Sequence, residues 1–186
     1  MHTSSPQLVP TPEFVEQLIN AERGCMVDWL HAMMQLPGNP LGGAVQSFGH
    51  ATALVCQHIP AQVFNRVIGM TVDDIAHIPA ILEFYASHHA PAMFDLNPYA
   101  IPPFWVTPNV PPVLAQNGFY QGAVHQLLYA VPTLTTPEPP EQITIAPVTQ
   151  EKTQIFSDIY EHVWGDGTAI RVLVNQPTFQ ALREFP

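Results

Sequence analysis

At 186 residues the chain is long enough for one ordinary domain or one and a fraction, and an apolar share of 47% is that of a globular body, not a disordered one. Against 15 acidic residues stand only 5 basic ones, a net charge of −10, and those few cations, scattered from Arg23 to Arg183, form no patch for a phosphate backbone or an anionic lipid surface. Nucleic acid and membrane are thereby excluded as expected partners. Met1–Pro12 lacks the basic and apolar regions of an export signal, and no apolar run is long enough for a membrane span, so a soluble cytoplasmic protein is expected. Cys25 and Cys56 each sit inside an apolar run without a C-x-x-C pair, which reads as two buried thiols.

Thr11-Pro12-Glu13 supplies a cap residue, a first-turn proline and an acid, the signals of a helix start. Phe14, Leu18, Cys25, Trp29 and Met33 then recur at three- and four-residue multiples as one apolar face, until Pro37-Gly38-Asn39-Pro40 ends the helix. Gly43–Phe48 and Thr52–Ile59 are β-prone runs around Gly49-His50, which predicts an antiparallel hairpin. Phe64–Met70 predicts a third strand. Thr71-Val72-Asp73-Asp74 resembles a capping box opening a helix that runs to about His89, kinked or restarted at Pro79.

Ala92–Leu96 is expected as strand four, followed by a proline-rich irregular stretch, a short helix at Val113–Gln116 with Gly118 at its end, and strand five over Tyr120–Val131. The order β-β-β-α-β-α-β after an opening helix predicts a mixed α/β (α+β) fold with helices on the sheet's faces. Thr133–Gln142 has the composition of an extended linker. Ile143–Val148 is then a strand and Gln150–Trp164 a helix, the start of a second unit with too little core to stand alone. The expected organisation is therefore a domain at 12–132, a linker at 133–142 and an incomplete second domain at 143–186, completed by a longer chain or a partner.

Pro37–Ala53 (PGNPLGGAVQSFGHATA) followed by Phe64–Gly69 (FNRVIG) resembles the opening of the first domain in tandem GNAT-family N-acetyltransferases. Phe84-Tyr85, Phe94-Asp95-Leu96 and Asn117-Gly118-Phe119 fall in the order that this family shows, and Ile143–Thr149 with Ile159-Tyr160 resembles the start of its second, usually catalytic domain. The resemblance implies a mostly antiparallel GNAT-like sheet and, for the whole protein, acetyl transfer from acetyl-CoA to an unidentified small amine.

The family's acetyl-CoA loop, Q/R-x-x-G-x-G/A, cradles pyrophosphate on backbone N–H groups at a helix N-terminus. Arg66-Val67-Ile68-Gly69-Met70-Thr71 carries only its first two landmarks, and Asp73 and Asp74 place negative charge where the phosphate would sit. Leu114 stands where many members carry a tyrosine general acid, and an aliphatic side chain donates no proton. No catalytic or cofactor-binding residue is therefore assigned. This chain is expected to be inactive and not to bind acetyl-CoA, with the remainder of the second domain as its partner or a homodimer as the alternative. A non-enzymatic binding module built on the same fold is the competing reading.

Asn65, Arg66, Asp95, Asn97 and Tyr99 sit in or just after neighbouring strands, where they could line a substrate pocket. The competing reading pairs Arg66 with Asp95 and gives Asn97 and Tyr99 a turn beside Pro98. Adjacent His88 and His89 point to different sides of a helix, and with no H-E-x-x-H spacing no metal is expected. Ser47, Ser87 and Ser157 lack a G-x-S-x-G elbow. Tyr99–Trp105 reads as a packed loop or a docking surface.

Overall fold

The computed structural model describes residues 11–59, 62–99, 108–122, 124, 140–144, 146, 149–152, 155 and 159. They fall into two units, one ending at Tyr120 and one beginning at Gln121.

In the first unit α1 (Pro12–Met34) starts as its sequence predicts: Thr11 is extended, its Oγ1 accepts from the Phe14 N–H at 3.3 Å, and Pro12 opens the first turn. The buried stripe is Met26, Leu30 and Met33. Cys25 lies about 100° around the helix from Met26 and is exposed, which corrects the expectation of two buried thiols. Cys56 is fully buried, its thiol facing the Leu41 carbonyl at 3.4 Å, and burial pushes its pKa up to about 12. A maleimide should therefore modify Cys25 in the native protein and Cys56 only after denaturation, a difference that intact-mass spectrometry reads directly.

After α1 the chain forms a meander: β1 (Gly43–Phe48), β2 (Ala51–Cys56) and β3 (Arg66–Ile68) pair antiparallel in the order β1-β2-β3. The hairpin register joins Phe48 to Ala51 around the two-residue turn Gly49-His50. Gly49 has φ +65°, and a Cβ there would lie 2.2 Å from Asp74 Oδ1, so both conformation and space demand glycine. The outer edge of β1 is closed at one end by Asn39, whose amide donates to the Gly43 carbonyl and accepts from its N–H, each at 2.9 Å.

The later strands are shorter than expected. β2 stops at Cys56, and β3 spans only Arg66–Ile68 because a 3-10 turn at Gln62–Phe64 precedes it and Gly69 at φ +79° ends it. Strand four is reduced to one parallel bridge, Val67 with Phe94, held by Val67 N–H to the Met93 carbonyl (2.8 Å) and Asp95 N–H to the Val67 carbonyl (2.9 Å). Pro91 and Pro98 flank it and limit further pairing. The helix expected from Thr71 is divided: a 3-10 segment covers Val72–His77 and α2 covers Ile78–Ser87, restarted with Pro79 in its first turn.

A short helix, α3 (Val110–Gln116), begins three residues earlier than expected because Pro111 and Pro112 fit the first turn. Its end is a Schellman motif: Phe119 N–H bonds the Leu114 carbonyl, Gly118 N–H bonds the Ala115 carbonyl, and Gly118 takes φ +85°.

Successive strand residues face opposite sides, which sorts the core into two layers. Ala51, Ala53, Val55 and Val67 pack with Ile78, Ile81, Phe84 and Tyr85 of α2 and with Val110 and Leu114 of α3. On the other side α1 lies against β1 and β2, and Arg66, next to Val67, reaches Glu22 of α1. Every residue of β2 is buried, as befits the central strand of a sheet covered on both faces. The fold is mixed α and β with an antiparallel three-stranded sheet.

Of strand five, Tyr120–Gly122 and Val124 are described and form no ladder; the rest of Tyr120–Val131 lies outside the described residues, as do Thr133–Pro139 of the linker. In the second unit Pro140–Gln142 make a turn closed by Ile143 N–H to the Pro140 carbonyl at 2.8 Å. Ile143, Thr144 and Ala146 carry no strand pairing, Gln150–Lys152 form a 3-10 turn, and Ile155 and Ile159 are helical; the other residues of the expected strand and helix lie outside the description. Among the described residues no helix is long and apolar enough to cross a membrane.

Candidate functional site

Arg66 is brought to β3 by the hairpin meander and is buried to 5% exposure. Its Nη1 donates to Asp95 Oδ2, and its Nη2 donates to Glu22 Oε1 at 2.8 Å. One guanidinium thus joins the strand-four segment to α1 across the sheet edge, using the planar fork that makes arginine suited to paired carboxylates. Both carboxylates are partly exposed, so the cluster is one buried cation between two half-wet anions.

Glu22 was not among the expected residues. It lies four and eight residues before Met26 and Leu30 on the stripe that α1 buries, but its partner stands 44 residues away, which no local pattern in the sequence shows.

Asn65, also buried, is occupied by its own backbone surroundings. Its Nδ2 donates to the Ile59 carbonyl at 2.7 Å and its Oδ1 accepts from Cys56 N–H at 3.0 Å, closing the connection between β2 and β3. Asn97 Oδ1 accepts from Tyr99 N–H at 3.0 Å, an Asx turn beside Pro98, and Tyr99 is 60% exposed. The structure therefore brings Arg66 and Asp95 together, while Asn65 serves the β2–β3 connection and Asn97 and Tyr99 form a local turn.

The turn from β3 into the 3-10 segment is built around Asp74. One carboxylate oxygen accepts from Thr71 N–H (2.8 Å) and Thr71 Oγ1 (2.9 Å); the other accepts from His50 N–H (2.8 Å). His50 Nδ1 lies 3.4 Å from that second oxygen, and the His50 carbonyl in turn accepts from Arg23 Nη1 at 2.8 Å. Burial acts to raise the pKa of Asp74, but these hydrogen bonds outweigh it and hold the carboxyl below its ordinary value of 3.8. The link from Asp74 through the hairpin turn to Arg23 was not anticipated; a three-residue cap is readable in sequence, whereas its second partner 24 residues upstream is not.

Other candidate groups are committed to structure. Tyr85 OH donates to the Leu54 carbonyl at 3.0 Å, and burial pushes its pKa well above the ordinary range. Ser87 Oγ donates to the Phe84 carbonyl at 2.8 Å, and His88 Nδ1 lies 2.7 Å from the same oxygen, so that nitrogen carries a proton and is no base toward Ser87. Leu114 is buried in the core. Among the described residues no group of three His, Cys, Asp or Glu side chains could hold a metal ion.

No protein-family model, curated protein or solved structure matches the chain.

Proposed function

We propose that residues 12–132 form the non-catalytic half of a tandem GNAT-like acyltransferase, the whole protein transferring an acetyl group from acetyl-CoA to a small amine. The reading is supported by the family-like order of the motifs and by a sheet that is antiparallel through its first three strands.

The observation that carries the non-catalytic part is Asp74. At the turn where the family holds pyrophosphate, a carboxylate of this chain already accepts from the backbone N–H groups of Thr71 and His50. A phosphate placed there would meet an anion kept ionised by those same donors, and at 4 Å two like charges repel by about 4 kcal/mol in surroundings of intermediate polarity. Arg66, the first landmark of the loop pattern, sits in β3 and is spent on Glu22 and Asp95. The residues at this turn do not fit acetyl-CoA. In the whole protein the chemistry belongs to the second domain, where a positioned amine attacks the thioester carbonyl and fixed donors stabilise the oxyanion.

Titrating the 186-residue chain with acetyl-CoA in a calorimeter should give no saturable heat at micromolar concentrations; a micromolar Kd would overturn the non-catalytic reading. The DNA downstream of codon 186 tests the other half of the proposal. A strand followed by a Q/R-x-x-G-x-G/A loop is expected there, and an immediate stop codon would instead favour the non-enzymatic binding module.

A further inference from the structure

A groove of about 500 Å³ lies between α1 and β1, and through Arg23 it borders the hairpin turn that Asp74 holds. One wall is a single stripe of α1, Asn20, Gly24, Val27 and His31, spaced i, i+4, i+7 and i+11. The opposite wall is the α1-facing side of the hairpin: Val45 and Ser47 of β1, and Thr52 of β2, which pairs with Ser47. Arg23 stands beside the stripe.

Although the chain carries 15 acids against 5 bases, no carboxylate lines this groove. Arg23 is held in place by its bonds to the His50 carbonyl (2.8 Å) and Asn20 Oδ1 (2.6 Å), which use two of its five donors. The other three have no partner among the described residues. Ser47 and Thr52 add hydroxyls, and Val27 and Val45 add an apolar surface.

Gly24 is the second, independent observation. A glycine inside a 23-residue helix costs about 1 kcal/mol relative to alanine. It has no positive φ, and a Cβ built on it meets nothing within 4 Å, so neither conformation nor packing requires glycine there. What its bare Cα does is leave the groove wall recessed.

We propose that this groove binds a small organic carboxylate with a short aliphatic tail, the carboxylate on Arg23 and the hydroxyls, and the tail against Val27 and Val45. Its volume lies within the range of small-ligand sites. The inference does not rest on the acyl-transfer reading, although Arg23 is positioned by the carbonyl of His50, whose N–H binds Asp74.

The test is a titration of the isotopically labelled full chain with 4-methylpentanoate, followed by amide NMR. Saturable shifts at Arg23, Gly24, Ser47 and Thr52 are expected at millimolar ligand. The neutral 4-methylpentanamide should bind at least tenfold more weakly, and Arg23→Gln should weaken carboxylate binding by a similar factor. Gly24→Leu should abolish binding while leaving the melting temperature equal or higher, which separates a blocked groove from a damaged fold. Shifts that do not saturate, that scatter over other surfaces, that are equal for the amide, or that persist in Gly24→Leu would each overturn the proposal.

Discussion

Replacing Arg66 by methionine should lower the unfolding free energy by about 1–3 kcal/mol, less than the loss from breaking a fully buried pair because the two carboxylates left behind are partly exposed. Methionine fills much of the volume, so the loss comes from charge: Glu22 and Asp95 both face the site that Nη2 and Nη1 occupy and would be left facing each other without a cation. For a unit of this size the midpoint of thermal unfolding should fall by roughly 5–15 °C. Neutralising all three members, as Glu22→Gln, Arg66→Met and Asp95→Asn together, should recover most of that loss, because an uncharged cluster pays no desolvation penalty. A triple variant as unstable as Arg66→Met alone would show that shape, and not charge, sets the cost.

Asp74→Ala is expected to cost about 2–3 kcal/mol, since it removes a helix cap and leaves the N–H groups of Thr71 and His50 without their charged acceptor. The pH dependence follows from the direction of the shift. Because the folded-state pKa of Asp74 is lowered below 3.8, its contribution is fully present above that value and is lost as pH falls through the folded pKa. Urea denaturation at pH 7 should therefore separate wild type from Asp74→Asn clearly, and the gap should narrow steadily below about pH 4. A gap that stayed constant to pH 2 would mean that the carboxylate's charge contributes nothing. Gly49→Ala probes the same junction from the opposite side, and its Cβ, 2.2 Å from Asp74 Oδ1, should be at least as damaging.

What could be read from the residues was what neighbours in sequence decide. Thr11-Pro12 caps α1, Gly49-His50 turns the hairpin, Thr71 meets Asp74 three residues on, and Gly118 ends α3, each within one turn of chain. Periodicity placed a helix at α1 but chose between adjacent stripes poorly, so Cys25 was grouped with Met33 while the chain buries Met26. Strand lengths were overestimated where β-prone composition continued past the backbone event that stops the ladder, as at the 3-10 turn before β3. The site was legible only in part. Asp95 could be named as a partner of Arg66, but Glu22, 44 residues before Arg66, and the contact of His50 with Asp74 follow from how the sheet stacks, which no local pattern encodes.

The meander also bears on how the first unit comes to be folded. α1 packs on β1, β1 pairs with β2, and β2 with β3, so each step joins a segment to one that directly precedes it and closes only a short loop. Such local topologies have low contact order and fold quickly. Synthesis adds roughly 5–20 residues per second, so the sheet and α1 can assemble while the chain after Tyr120 is still being made. The later unit would then be synthesised after the first has reached its final shape.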